Sequence, residues 1–109
     1  MSYDAFLLLL RAHRLPAPET EVVFAPPREW RADYLWRGPK VIVEREGGIW
    51  SKAKGAKAAH AMPLAILRDM EKSNAAQVLG YAYLRYTPTQ LENGDALGAL
   101  RSLLRRTEC

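Results

Sequence analysis

The feature that most constrains this chain is an apolar run that ends in an acid. Residues 40–43 read Lys-Val-Ile-Val, and Glu44 follows them directly. β-Branched residues of this kind favour a buried strand. A carboxylate at the end of such a strand is costly unless a cation or hydrogen bonds compensate it. Asp33 lies in the preceding aromatic-rich segment, so two acids on neighbouring strands could hold a hard divalent ion between them.

The bulk composition limits the class of protein. The 109 residues suit one domain spanning residues 1–109, and the net charge of +4 favours a polyanionic partner, most commonly nucleic acid. The single cysteine, Cys109, excludes a disulfide within the chain and a zinc site made of cysteines, which predicts a cytoplasmic protein. The apolar run 6–10 is too short to span a bilayer and lacks the flanks of a signal peptide, so we expect no membrane contact.

Periodicity and turn residues predict a mixed α/β (α+β) chain in the order α-β-β-β-α-β-α. We expect helices at residues 3–13, 63–79 and 95–106, and strands at 21–24, 30–36, 40–45 and 81–86. Short links make the first three strands an antiparallel meander. The natural packing is one mixed four-stranded sheet flanked by helices.

Two further predictions concern the segments after the third strand. Residues 47–59 combine glycines with three lysines and predict a mobile basic loop that grips phosphates, carrying Lys52, Lys54 and Lys57. Pro63 fits the first turn of the middle helix. In that helix Leu67, Met70, Asn74 and Val78 fall on one stripe, and in the last helix four leucines are expected to face inward, namely Leu97, Leu100, Leu103 and Leu104.

The motifs resemble, in their joint order, those of the PD-(D/E)XK (restriction-endonuclease-like) nuclease superfamily. The match is nearest to its small phage and bacterial branch, which is like DUF559 and very-short-patch-repair proteins. It covers roughly residues 20–105. The matching residues are Trp30, Arg31 and Asp33; Glu44, Glu46, Gly47 and Gly48; His60; Asp69, Lys72 and Asn74; and Gly80, Tyr81 and Arg85, with Thr87 and Pro88 after the last strand. Glu46 stands where the superfamily usually has a lysine, and the loop before His60 lacks the branch's Gly-Arg.

The resemblance implies a restriction-endonuclease-like core and a Mg²⁺-dependent endodeoxyribonuclease, with Mn²⁺ as a substitute ion. The implied metal ligands are Asp33, Glu44 and the backbone carbonyl of Arg45. The implied catalytic residues are Asp33, Glu44, Glu46, His60 and Lys72, and Lys72 would replace the strand lysine by reaching in from the helix. The implied DNA contacts are Lys52, Lys54, Lys57 and Arg85. A homodimer would suit cutting of both strands, and phage or prophage DNA processing, repair or junction resolution are the implied settings.

Each of these residues also has a structural interpretation. Asp33 could pair with Arg31 or Arg85, and Lys72 could form an i,i+3 ion pair with Asp69, which is its expected partner. Glu46 could be an exposed turn acid. Two other functions also stay open: a non-catalytic nucleic-acid-binding module on a nuclease fold, and an interaction subunit that docks through its leucine-rich terminal helices.

Overall fold

The computed structural model of the chain describes residues 4–47 and 56–105, and the side chains of 4–47 and 64–105. The helices are α1 (Ala5–Ala12), α2 (Ala56–Val78), α3 (Pro88–Glu92) and α4 (Leu97–Leu104). The strands are β1 (Glu19–Val23), β2 (Arg31–Trp36), β3 (Val41–Arg45) and β4 (Ala82–Tyr86). The predicted strands are therefore present, each shifted by two residues or fewer at its ends.

The four strands form one mixed sheet in the order β1-β2-β3-β4. The first three strands are antiparallel neighbours, as the short links predicted. β4 pairs in parallel with β3 after the chain crosses over through α2. A mixed α/β fold with a four-stranded mixed sheet flanked by helices is thus confirmed.

One face of the sheet is covered by α1, α3 and α4. Asp4 caps α1, because its Oδ1 accepts hydrogen bonds from the amides of Phe6 at 2.9 Å and Leu7 at 3.2 Å. The buried side chains that join these helices to the sheet form one cluster: Phe6, Leu10, Tyr34, Trp36, Val41, Val43, Leu91, Ala96, Leu97, Leu100 and Leu104. Leu97, Leu100 and Leu104 face inward as predicted, and Leu103 is half-buried against the same cluster.

The other face carries a smaller apolar cluster and is the one on which α2 lies. Its buried members are Phe24, Ala32, Leu35, Ile42 and Ala76. Ala76 is the α2 residue in this cluster, and four residues before it comes Lys72, on the same side of the helix. Glu44 is buried on this face as well, with 4% of its surface exposed.

The orientation of α2 that its apolar stripe would favour is not the one observed. Leu67 and Met70 are about half exposed, Asn74 is exposed, and Val78 is 86% exposed. At 100° per residue, this stripe points away from the side that carries Lys72 and Ala76. The helix is therefore placed by its polar and small residues, and its most apolar side faces outward.

The predicted start of α2 at Pro63 is wrong. The helix begins at Ala56, so residues 56–59 are helical and do not belong to a loop. An alanine-rich run with high helix propensity precedes the proline, and this explains why the helix extends beyond it. The other part of the predicted basic loop, residues 48–55, lies outside the described residues.

A short helix follows β4 where only a link was predicted. Thr87 caps α3 in a capping box with Gln90, and Pro88 occupies its first turn. The side chain of Thr87 accepts from the Gln90 amide at 3.2 Å, and the Gln90 side chain accepts from the Thr87 amide at 2.9 Å. Local capping interactions therefore stabilise this helix. The last helix, α4, begins at Leu97, two residues after the predicted start at 95.

Candidate functional site

Asp33 and Glu44 lie opposite each other where β2 and β3 end their pairing. The register pairs Tyr34 with Val43, and its continuation brings Asp33 to Glu44. The amide of Asp33 donates to Glu44 Oε2 at 2.9 Å, and the amide of Arg45 donates to Asp33 Oδ2 at 2.8 Å. Each carboxylate thus satisfies a backbone amide of the neighbouring strand, which fixes both acids on one face of the sheet.

Glu44 is the buried centre of the site. Its Oε1 accepts a hydrogen bond from the hydroxyl of Tyr83 at 2.8 Å, and the ammonium of Lys72 forms an ion pair with the same carboxylate. Burial raises the pKa of Glu44 above its ordinary value, while Lys72 and the Asp33 amide act in the opposite direction. The cation and hydrogen bonds that the sequence argument required for a buried acid are therefore present.

Lys72 reaches the sheet from α2, and only 19% of its side-chain surface is exposed. The expected i,i+3 pair with Asp69 is not its contact. Asp69 lies 3.5 Å from Arg85 instead, because Lys72 turns towards the buried acid. A buried carboxylate gains more from a cation than an exposed one does, and this explains the choice of partner.

Arg85 links the end of β3 to α2. Its Nε donates to Glu46 Oε1 at 2.8 Å, and its guanidinium also contacts Asp69. The hydrogen bond that Arg85 donates to Glu46 is the main reason that the pKa of Arg85 is raised. Glu46 is therefore not a free turn acid, and its own amide continues the sheet by donating to the Tyr86 carbonyl at 2.8 Å.

Tyr83 is a site residue that the sequence interpretation missed. Burial, followed by the charge of Glu44, raises the pKa of its hydroxyl, so Tyr83 donates a proton to the hydrogen bond at neutral pH. Strand alternation contains a signal for it, because Tyr83 lies two residues before Arg85 and so on the same face of β4. The sequence interpretation used Arg85 without following the strand back to Tyr83.

Several predicted site residues cannot be placed by their side chains. Lys52 and Lys54 lie outside the described residues, and so do the side chains of Lys57 and His60. The backbone of His60 belongs to α2, twelve residues before Lys72, which corresponds to about 18 Å along a straight helix axis. Its catalytic role remains a prediction.

The donor set suits a hard divalent ion in type. Asp33 and Glu44 offer carboxylate oxygens, which Mg²⁺ prefers. Asp33 Oδ1 accepts no hydrogen bond from the described residues, whereas both oxygens of Glu44 have protein partners. Among the described side chains no group of three or more His, Cys, Asp or Glu is clustered. These residues would therefore provide two carboxylates and one backbone carbonyl as ligands for a metal ion.

Comparison of the chain with protein-family models, with curated proteins and with solved structures finds no match in any of the three. The resemblance to the PD-(D/E)XK superfamily thus rests on the motifs quoted above and stays a prediction. In the described ranges, every helix is too short or too polar to cross a lipid bilayer.

Proposed function

We propose that this chain is a metal-dependent DNA endonuclease. The observation that supports this most is the buried Glu44 carboxylate, which has Asp33 beside it on the adjacent strand and Lys72 reaching it from α2. Two acids and one cation on a single sheet face provide both a ligand set and a positive group for a phosphodiester. The net charge of +4 fits a polyanionic substrate.

The residues divide into distinct roles. Asp33, Glu44 and the carbonyl of Arg45 would hold Mg²⁺, or Mn²⁺ in its place. When bound there, the ion would acidify a water molecule and offset charge on the phosphate. Lys72 takes the place of the superfamily's strand lysine and stabilises negative charge on the phosphate oxygens.

Glu46 and Arg85 act as a pair in this proposal. Glu46 holds the guanidinium of Arg85 at the open edge of the site, where it can contact a DNA phosphate. Lys52, Lys54 and Lys57 grip further phosphates along the strand. Binding should then weaken steeply with added salt, because each neutralised phosphate releases counterions.

The surface of so small a chain suits structure-selective or weakly sequence-specific cutting. Branched DNA, such as a junction in phage or prophage DNA processing, is the substrate class we favour, with a homodimer where both strands are cut. A supercoiled plasmid and a branched DNA therefore form the substrate pair for the test.

The test compares cleavage by the wild type, Glu44→Gln and Glu71→Gln in Mg²⁺, in Mn²⁺ and in EDTA. Glu71 is a matched control, because it is an acid on α2 that is 57% exposed and pairs with Arg28. We expect metal-dependent cutting in the wild type and in Glu71→Gln, and at least a hundredfold loss in Glu44→Gln. Unchanged cutting in Glu44→Gln would reject the site.

A non-catalytic nucleic-acid-binding module is the second candidate. Lys72 favours it, because its ammonium already neutralises Glu44 and competes with a metal ion for that carboxylate. This candidate predicts salt-sensitive DNA binding and no cleavage in either metal. If Asp33→Asn changed neither binding nor cutting, neither candidate would have its site in this part of the molecule.

A further inference from the structure

An apolar groove lies on the far side of the molecule from Glu44, against the outer surface of α1. Its volume is about 690 Å³, which is the size of a ligand pocket. Its apolar lining consists of the segment 16–18 and four leucines, namely Leu7, Leu8, Leu10 and Leu15. Arg11 and Arg14 complete the lining. The groove therefore combines an apolar surface with two guanidinium groups.

The wall of this groove is fixed before any ligand arrives. The amide of Leu15 donates to the carbonyl of Leu10 at 2.9 Å, and the indole of Trp36 donates to the carbonyl of Pro16 at 2.7 Å. Pro16 and Pro18 restrict the backbone further. A ligand would thus pay little ordering entropy on the protein side.

The two groove arginines differ from four other arginines of the chain, which are held by acids. Arg28, Arg37, Arg45 and Arg85 each pair with an acid. Arg11 and Arg14 are exposed, and in the described ranges no carboxylate lies within ion-pair distance of either. Their charge is therefore available to a partner.

Arg14 also occupies a backbone position that favours glycine. Its φ is +59°, and with the hydrogen bonds Arg14 N to Arg11 O and Leu15 N to Leu10 O it ends α1 in a Schellman motif. The same motif ends α2, where the equivalent residue is Gly80 with φ +90°. A side chain in this conformation is strained, and a functional requirement is one reason to retain it.

The helix dipole alone does not explain Arg14. A cation near the carboxyl end of a helix is favourable, but Arg11 in the last turn already supplies one without backbone strain. The strained position adds a second charge on the same groove. The positive φ of its backbone is the property that separates Arg14 from Arg11.

We propose that this groove binds a peptide segment of another protein in which carboxylates alternate with apolar side chains. Leu7, Leu8 and Leu15 would bury the apolar side chains. Arg11 and Arg14 would form charge-assisted hydrogen bonds to the carboxylates. A DNA backbone would satisfy the arginines but leave the leucines uncovered. The proposal does not depend on the nuclease assignment, because the groove and Glu44 lie on opposite faces of the sheet.

The test measures fluorescence anisotropy of labelled peptides with the full chain. The probe alternates Glu or Asp with Leu or Phe. One control peptide replaces the acids by Gln and Asn, and another replaces the apolar residues by Ser and Gly. We expect saturable binding of the probe and at least tenfold weaker binding of both controls. Equal binding of the probe and either control would overturn the proposal.

The decisive variant is Arg14→Gly, because it removes the charge and relieves the strain in one change. We expect it to weaken probe binding about fivefold to tenfold while raising the urea midpoint of unfolding. Lys40→Gly is the matched control, since Lys40 also has a φ of +59° and lies far along the chain, in the turn before β3. It should leave probe binding unchanged.

Two results would contradict the proposal that the groove binds a peptide. Unchanged probe binding in Arg14→Gly would reject it. Where binding is weakened, the higher urea midpoint excludes misfolding as the cause of the loss. If a short DNA duplex bound with the same dependence on Arg14 and displaced the probe, the arginines would belong to a nucleic-acid surface instead. A loss of metal-dependent cleavage bears only on the nuclease proposal.

Discussion

The two faces of the sheet are stabilised in different ways. On one face, α1, α3 and α4 bury large apolar side chains in a continuous cluster. On the other, α2 is attached by the ion pair of Lys72 with Glu44, the contact of Asp69 with Arg85 and the small side chain of Ala76. The first face therefore depends on apolar area, whereas the second depends on a polar network that also forms the candidate site.

Phe6→Ala, on the apolar face, is expected to lower the free energy of unfolding more than any other substitution considered. Phe6 is fully buried, and its ring packs edge-on against Tyr34 with centroids 4.8 Å apart. We expect a loss of about 3–5 kcal/mol in the free energy of unfolding, measured by urea denaturation. Leu8→Ala on the same helix is the control, because Leu8 is 48% exposed and should cost far less. Similar losses in both variants would mean that α1 does not pack as described.

Lys72→Met, on the polar face, is expected to cause the next largest loss in the free energy of unfolding. Removal of the cation leaves Glu44 buried without its partner, which we expect to cost about 3 kcal/mol at neutral pH. Arg28→Met is the control, since its ion pair with Glu71 is more than half exposed and should contribute at most about 1 kcal/mol.

The pH dependence of Lys72→Met follows from the raised pKa of Glu44. Between its unfolded and folded pKa values, Glu44 holds a proton in the folded state that the unfolded chain has released. Its contribution to stability is therefore complete below the unfolded pKa and is lost as the pH rises through the folded pKa. Loss of Lys72 raises the folded pKa further, so the cost of the substitution should shrink as the pH falls towards 4.5. A cost independent of pH would contradict the ion pair.

A smaller effect is expected from Tyr83→Phe. This change removes only the hydroxyl that donates to Glu44, and we expect a loss of about 1 kcal/mol, measured by thermal or urea unfolding. Tyr86→Phe is the matched control on β4, because its hydroxyl has no hydrogen-bond partner in the described ranges. Equal stability of the two variants would show that the Tyr83 hydroxyl does not support the site.

The smallest effect is expected from Leu67→Gln on the outer side of α2. Leu67 is 54% exposed, so the free energy of unfolding should change by no more than about 0.5 kcal/mol. A helix attached by its apolar stripe would instead lose several kcal/mol. Urea denaturation of this variant therefore distinguishes the observed orientation of α2 from one in which the apolar stripe faces the sheet.

This orientation also shows how far the sequence could be interpreted. The strands were predictable because β-branched and aromatic runs alternate with turn residues. The proximity of Asp33 and Glu44 was predictable because a buried acid at the end of a strand is costly unless other groups compensate its charge. The orientation of α2 does not follow from its apolar stripe, because Lys72 pairs with the buried Glu44 and that side of the helix faces the sheet. Tyr83 was missed because its contact with Glu44 depends on parallel pairing of strands distant in sequence, and the alternation that links it to Arg85 was not followed.

The parallel pairing of β3 with β4 has a consequence for folding. Glu44 and Tyr83 are 39 residues apart in the chain, whereas Asp33 and Glu44 are 11 apart. The meander of β1, β2 and β3 can close through short loops, but the contacts of Tyr83 and Arg85 must await the whole crossover. During synthesis, Asp33 and Glu44 would therefore meet before Lys72 and Tyr83 have left the ribosome. Completion of the site would then coincide with the last long-range step of folding.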